Sequence, residues 1–76
     1  MSDSMTVEGT VQHVAMGTGA WALNSSSGRY EIYQGKPAEA MQDGLRVRAR
    51  GKVRDDVMTL AMIGPVFEIE SFEVLE

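Results

Sequence analysis

The sequence predicts a small all-β domain, a barrel of five to six short strands with one short helix between the third and fourth strands. Three observations carry this. Residues 45–54 read Leu-Arg-Val-Arg-Ala-Arg-Gly-Lys-Val-Arg, so small or apolar side chains alternate with cations at the two-residue period of a strand. Glycine, serine and proline clusters at 17–19, 25–28, 35–37 and 64–65 cut the chain into strand-sized pieces. The 76 residues include no cysteine, so the fold rests on one apolar core without disulfides or thiolate metal sites.

The first strand spans 5–16. Met5, Val7, Gly9, Val11 and His13 share one parity, while Thr6, Glu8, Thr10 and Gln12 share the other. Val14 and Met16 break the pattern and Gly9 has no side chain to pack, which predicts a strongly bent or bulged strand. A turn at 17–19 leads to a second strand, 20–24, with Trp21 and Leu23 inward. After the serine loop, residues 29–34 form a third strand whose Tyr30 and Ile32 face them. The three make a meander. Gly35 and Pro37 end it, and 37–44 carries proline at a helix start and glycine past its end, enough for one or two turns. The basic strand follows, then a tight turn at Asp55 and Asp56, a fifth strand at 57–63, an interruption at Gly64 and Pro65, and a last strand at 66–75. Phe67 and Ile69 point inward there until a parity change near Ser71 hands the core to Phe72 and Val74. Residues 1–4 are expected to be a disordered tail and 5–76 a single domain.

Three strands, a short helix near the midpoint, a strand and a final hairpin resemble the OB-fold, a small Greek-key barrel. The carriers are Gly9 in the bent first strand, the Gly19-Ala20-Trp21-Ala22-Leu23 second strand, the 37–44 helix, and the strands at 45–53 and 66–75. The chain looks like small bacterial OB-like domains of unknown function with a G-x-W-x-L second strand. An SH3-like small barrel is the alternative. The resemblance implies that the fourth strand neighbours the first and last, and that the loops after the first strand and between the last two border the ligand surface.

The net charge of −4 disfavours general nucleic-acid binding, because affinity for phosphate backbones scales with the cations presented. Distribution qualifies this: five of the seven basic residues lie in the 46–54 ladder. No stretch approaches the roughly 20 apolar residues of a membrane-spanning helix and no signal peptide is visible at the start, so a cytoplasmic location is expected.

Catalysis is not expected. His13 is the single histidine, and no nucleophile-turn motif surrounds Ser25, Ser26, Ser27 or Ser71. Asp55 and Asp56 read as a polar turn, since adjacent carboxylates point apart and a hard cation wants several converging oxygens. The glycine-bearing loops at 17–19 and 25–28 match no phosphate-loop spacing and read as hairpin connections. No metal or other cofactor is expected.

Two binding surfaces come forward. The first is a protein-contact strand: Met58, Leu60 and Met62 share one parity, and Val57, Thr59, Ala61 and Ile63 make the other nearly as apolar. A strand apolar on both faces needs a second cover, either the helix through Met41 or another protein, such as a second copy. The second surface comprises Arg29, Tyr33, Arg46, Arg48 and Arg50, suited to an anionic ligand such as single-stranded nucleic acid or an oligosaccharide. Parity assigns Trp21, Tyr30, Phe67 and Phe72 to the core, leaving Tyr33 as the one exposed stacking platform. A purely structural role competes: Glu8, Glu68, Glu70 and Glu73 lie within cross-strand reach of the ladder, where opposite charges relieve repulsion between its cations. The expectation is a non-enzymatic interaction module, with the anionic-ligand binder as the alternative.

Overall fold

A computed structural model describes residues 4–15, 19–58 and 63–75. Five strands form a closed barrel: β1 (Met5–Val14), β2 (Ala20–Ser25), β3 (Gly28–Ile32), β4 (Arg46–Val53) and β5 (Val66–Val74). Their order around the wall is β1-β2-β3-β5-β4, with β4 returning to β1, so the all-β, OB-like barrel expected from the sequence is what the chain adopts. All neighbouring pairs are antiparallel except β3 and β5, which run parallel and share only the pairs Glu31↔Val66 and Ile32↔Phe67.

β1 serves two neighbours. Residues 5–10 pair with β4 and residues 9–14 with β2, and Gly9 stands opposite Val47 on one side and Ser25 on the other. A Cβ at Gly9 would run into the carbonyl of Asn24, so glycine lets the two wall segments close over this point. β1 itself carries no bulge, its register being continuous with both neighbours. The register shift lies instead between β4 and β5, where Arg50 faces Ser71, Gly51 faces Ile69 and Glu70 is the added residue. That bulge is the parity change expected near Ser71. Gly51 is its counterpart of Gly9, for a Cβ there would meet the Glu68 carbonyl.

The inward parity of β1 and β4 supplies Val7, Val11, Val47 and Ala49, joined by Leu23, Ile32 and Phe67, with Trp21, Tyr30, Ile69 and Phe72 half-buried against them. Val74, expected inward, is 49% exposed because β5 has reached the barrel end. The third strand stops at Ile32, two residues early, and Tyr33–Gly35 form a 3-10 turn with Gln34 at φ 56°. The expected helix is a single 3-10 turn, Ala38–Ala40, led in by Pro37. No α-helix propagates because the next residues are claimed by β1: Gly44 N–H donates to the Val11 carbonyl at 2.7 Å, and Val11 N–H to that of Leu45 at 2.8 Å.

The strand expected at 57–63 is not found in the described part of that segment: Val57, Met58 and Ile63 have no strand pairing, and 59–62 lie outside the described residues. Of the expected tail, 1–3 likewise lie outside them, while the Ser4 hydroxyl donates to Glu70 at 3.2 Å. Among the described residues no helix is long and apolar enough to cross a membrane.

Candidate binding surfaces

β4 presents its even residues outward, and cross-strand partners decide what each cation can do. Arg48 faces Glu8 on β1 and Glu73 on β5. Its Nε donates to Glu8 at 2.8 Å and its Nη1 to Glu73 at 3.3 Å, and these carboxylates, Glu8 foremost, raise the guanidinium pKa above its usual value. The middle rung of the ladder is thus neutralised by its neighbours. Arg50 lies between Thr6 and Ser71, and Arg46 faces Thr10. Neither has an ion pair or side-chain hydrogen bond among the described residues.

The ladder's last cation is a structural tether. Arg54 grips Asp56 bidentately, Nε to Oδ1 and Nη2 to Oδ2 both at 2.9 Å, and donates from Nη1 to Glu68 at 2.8 Å. Its guanidinium carbon also stands 5.2 Å from the centroid of the Tyr33 ring. Arg54 donation holds the Asp56 carboxyl below the usual aspartate range, and Asp56 followed by Glu68 raises the guanidinium. Four pieces meet here: the end of β4, the 55–56 turn, β5 and the turn after β3.

Tyr33 therefore has a cation against its ring and is half-buried, so the expected free stacking platform is already occupied within the molecule. Arg29 belongs to another group. Register aligns Arg46, Thr10, Asn24 and Arg29 in one outward row across β4, β1, β2 and β3. Gln12 Oε1 accepts from Asn24 at 2.6 Å and from Arg29 at 3.4 Å. Of the five residues assigned to anion binding, the structure brings Arg46, Arg48 and Arg50 together on one strand, carries Arg29 to the far end of a shared row, and diverts Tyr33.

Met58 is 94% exposed, the most accessible large apolar side chain described. With Val53, Val57, Pro65 and the stem of Arg54 it borders a groove beside the β4–β5 connection. Leu60 and Met62 lie outside the described residues.

His13, read as a strand residue near a barrel end, sits at the exit of β1: its ring is 4.8 Å from that of Trp21 and its backbone N–H donates to Asp43 at 3.1 Å. Sequence reasoning missed Glu31, an outward-parity residue only 6% exposed. It lines a second hollow with Trp21, Gln34 and Gly35. The alternation of β3 gave no warning: Glu31 is flanked by Ala22 on β2 and Val66 on β5, and the turn that follows it lines the same hollow. Among the described residues no cluster of histidine and carboxylate side chains could hold a metal ion.

No protein-family model, curated protein or solved structure matches this chain.

Proposed function

We propose that the chain is a non-enzymatic interaction module of the OB-like type, akin to small bacterial domains of that fold and working in the cytoplasm, whose contact surface is the apolar lip around Met58. The observation that carries this is the 94% exposure of Met58 beside Val53, itself 40% exposed, at the edge of a groove. A long, polarisable side chain held in water at such a lip gains by burial and adapts to the shape of what covers it. The chain continues from Met58 into Leu60 and Met62, which extends the apolar run along the same connection. A second copy of the chain is the occupant that this surface requires least to explain. Closure of the barrel directs such a contact to side chains, since most wall strands are paired on both sides.

Light scattering coupled to size exclusion tests this on the full chain and on Met58→Glu. A dimer that becomes a monomer in the variant supports the proposal. A wild-type chain that stays monomeric throughout the accessible concentration range refutes self-contact through this lip.

Anionic-ligand binding is the second reading. It is favoured by Arg46 and Arg50, the outward ladder arginines that no carboxylate engages among the described residues.

A further inference from the structure

The geometry points to a binding site for a single phosphate monoester on the outer wall, formed by Arg50 between the hydroxyls of Thr6 and Ser71. This site shares no residue with the Met58 groove and stands independently of the contact proposed there.

The site begins with register. Thr6 on β1, Arg50 on β4 and Ser71 on β5 stand directly opposite one another and are all exposed. Directly opposite residues have Cβ atoms about 5 Å apart, so each hydroxyl stands one strand spacing from Arg50, on either side of it, beside a phosphate held on the guanidinium. Arg50 supplies a planar fork of donors matched to two phosphate oxygens, and a hydroxyl is placed on each side to donate a further bond as the phosphate leans toward it. All three side chains lack hydrogen-bond partners among the described residues. They border an open hollow of about 320 Å³ that Arg48, Phe72 and Glu73 also line.

The hollow lies at the bulge: Glu70 is the added residue between the pairs Arg50↔Ser71 and Gly51↔Ile69, where the regular ladder of β4 and β5 is interrupted.

The rim decides the class of ligand. Glu8 and Glu73 flank the next rung, where both are engaged by Arg48. A polyanion laid along β4 would run over these two carboxylates, whereas one compact dianion seated at Arg50 stays beside them. Glu73 borders the hollow and is engaged by Arg48, while Glu70, next to Ser71, accepts from the Ser4 hydroxyl at 3.2 Å and is not among the residues that line the hollow. The ligand is therefore a phosphate monoester rather than a nucleic-acid backbone.

The test is a titration of the isotope-labelled full chain with inorganic phosphate and with phenyl phosphate, followed through backbone amide shifts, against sodium chloride at matched ionic strength. Saturable shifts centred on Thr6, Arg50 and Ser71 are expected with both phosphates and not with chloride. Arg50→Gln should weaken binding about tenfold or more, the loss of one charge-assisted pair. Thr6→Val keeps the β-branched strand residue and removes only the hydroxyl, so it should weaken binding severalfold with the fold intact. Arg46→Gln should leave it unchanged. Equal shifts with chloride, or wild-type affinity in Arg50→Gln, would overturn the site. So would tight binding of an oligothymidylate without terminal phosphate combined with no response to the monoesters.

Discussion

Replacing Phe67 by alanine tests whether the barrel is held by one shared core. Phe67 is fully buried, stands opposite Val53 on β4 and Ile32 on β3, and has its ring centroid 5.6 Å from that of Tyr30. It thus fills the space at the junction where β5 meets both neighbours. Truncation removes the transfer free energy of the ring and leaves a cavity, together about 3 to 5 kcal/mol. A domain of 76 residues has a total stability of about 4 to 11 kcal/mol at the usual per-residue value. Phe67→Ala should therefore remove about a quarter or more of the stability. In guanidinium chloride, with a slope of about 2 kcal/mol per molar, the midpoint should fall by about 1.5 to 2.5 M. Trp21 is the single tryptophan and packs against the core, so its fluorescence reports the transition, and circular dichroism checks that both signals coincide. Phe67→Leu keeps most of the volume and loses mainly the ring pair with Tyr30, about 1 kcal/mol. A loss below about 1 kcal/mol in Phe67→Ala would show that the junction is not packed as described.

Gly51→Ala places a Cβ on the Glu68 carbonyl and should cost about 1 to 3 kcal/mol by denaturant titration, whereas Gly28→Ala, with open space but φ at 145°, should cost about 1 kcal/mol from backbone strain alone. The Asp56 carboxyl should titrate below the ordinary aspartate value of about 4 in a carbon-detected NMR titration and return toward it in Arg54→Gln. Because its folded pKa is depressed, the stabilisation is present above the unfolded value and disappears as pH falls through the folded one. Wild-type thermal stability should thus drop more steeply than that of Arg54→Gln on acidification below about pH 4. Met58→Glu should leave thermal stability within about 0.5 kcal/mol of wild type, since the side chain is 94% exposed, and calorimetry of the dilute chain checks this.

Much of the barrel was legible because side-chain parity is a direct projection of strand geometry. The alternation of 45–54 places Val47 and Ala49 inside and Arg46, Arg48 and Arg50 outside, as found. Ordering β4 beside β1 and β5 came from resemblance, and the register agrees. What alternation cannot carry is anything set by contact between remote segments. The capture of Tyr33 by Arg54 joins the turn after β3 to a residue more than twenty positions later, and the burial of Glu31 depends on its place between β2 and β5. The 37–44 stretch has the end signals of a helix, yet backbone bonds to Val11 leave it no length in which to nucleate one. The outward arginines were half legible: alternation identifies them, but only register shows that Arg48 is paired with Glu8 and Glu73 while Arg50 stands between Thr6 and Ser71.

The seam between β3 and β5 has a consequence for how the molecule assembles and comes apart. Two register pairs close it, against seven between β4 and β5, and they join residues 31 and 66 across a long stretch of intervening chain. The meander β1–β3 and the hairpin-like pair β4–β5 are each local in sequence, so each forms at low loop-closure cost; two seams then join them, β1 to β4 with six register pairs and β3 to β5 with two, and the shorter parallel seam has the least to hold it. It is the last stave to be set and the first to spring. Amide exchange at Glu31, whose N–H donates to Pro65, should accordingly outpace that of Ala49 in the body of the wall, marking the line along which the barrel breathes.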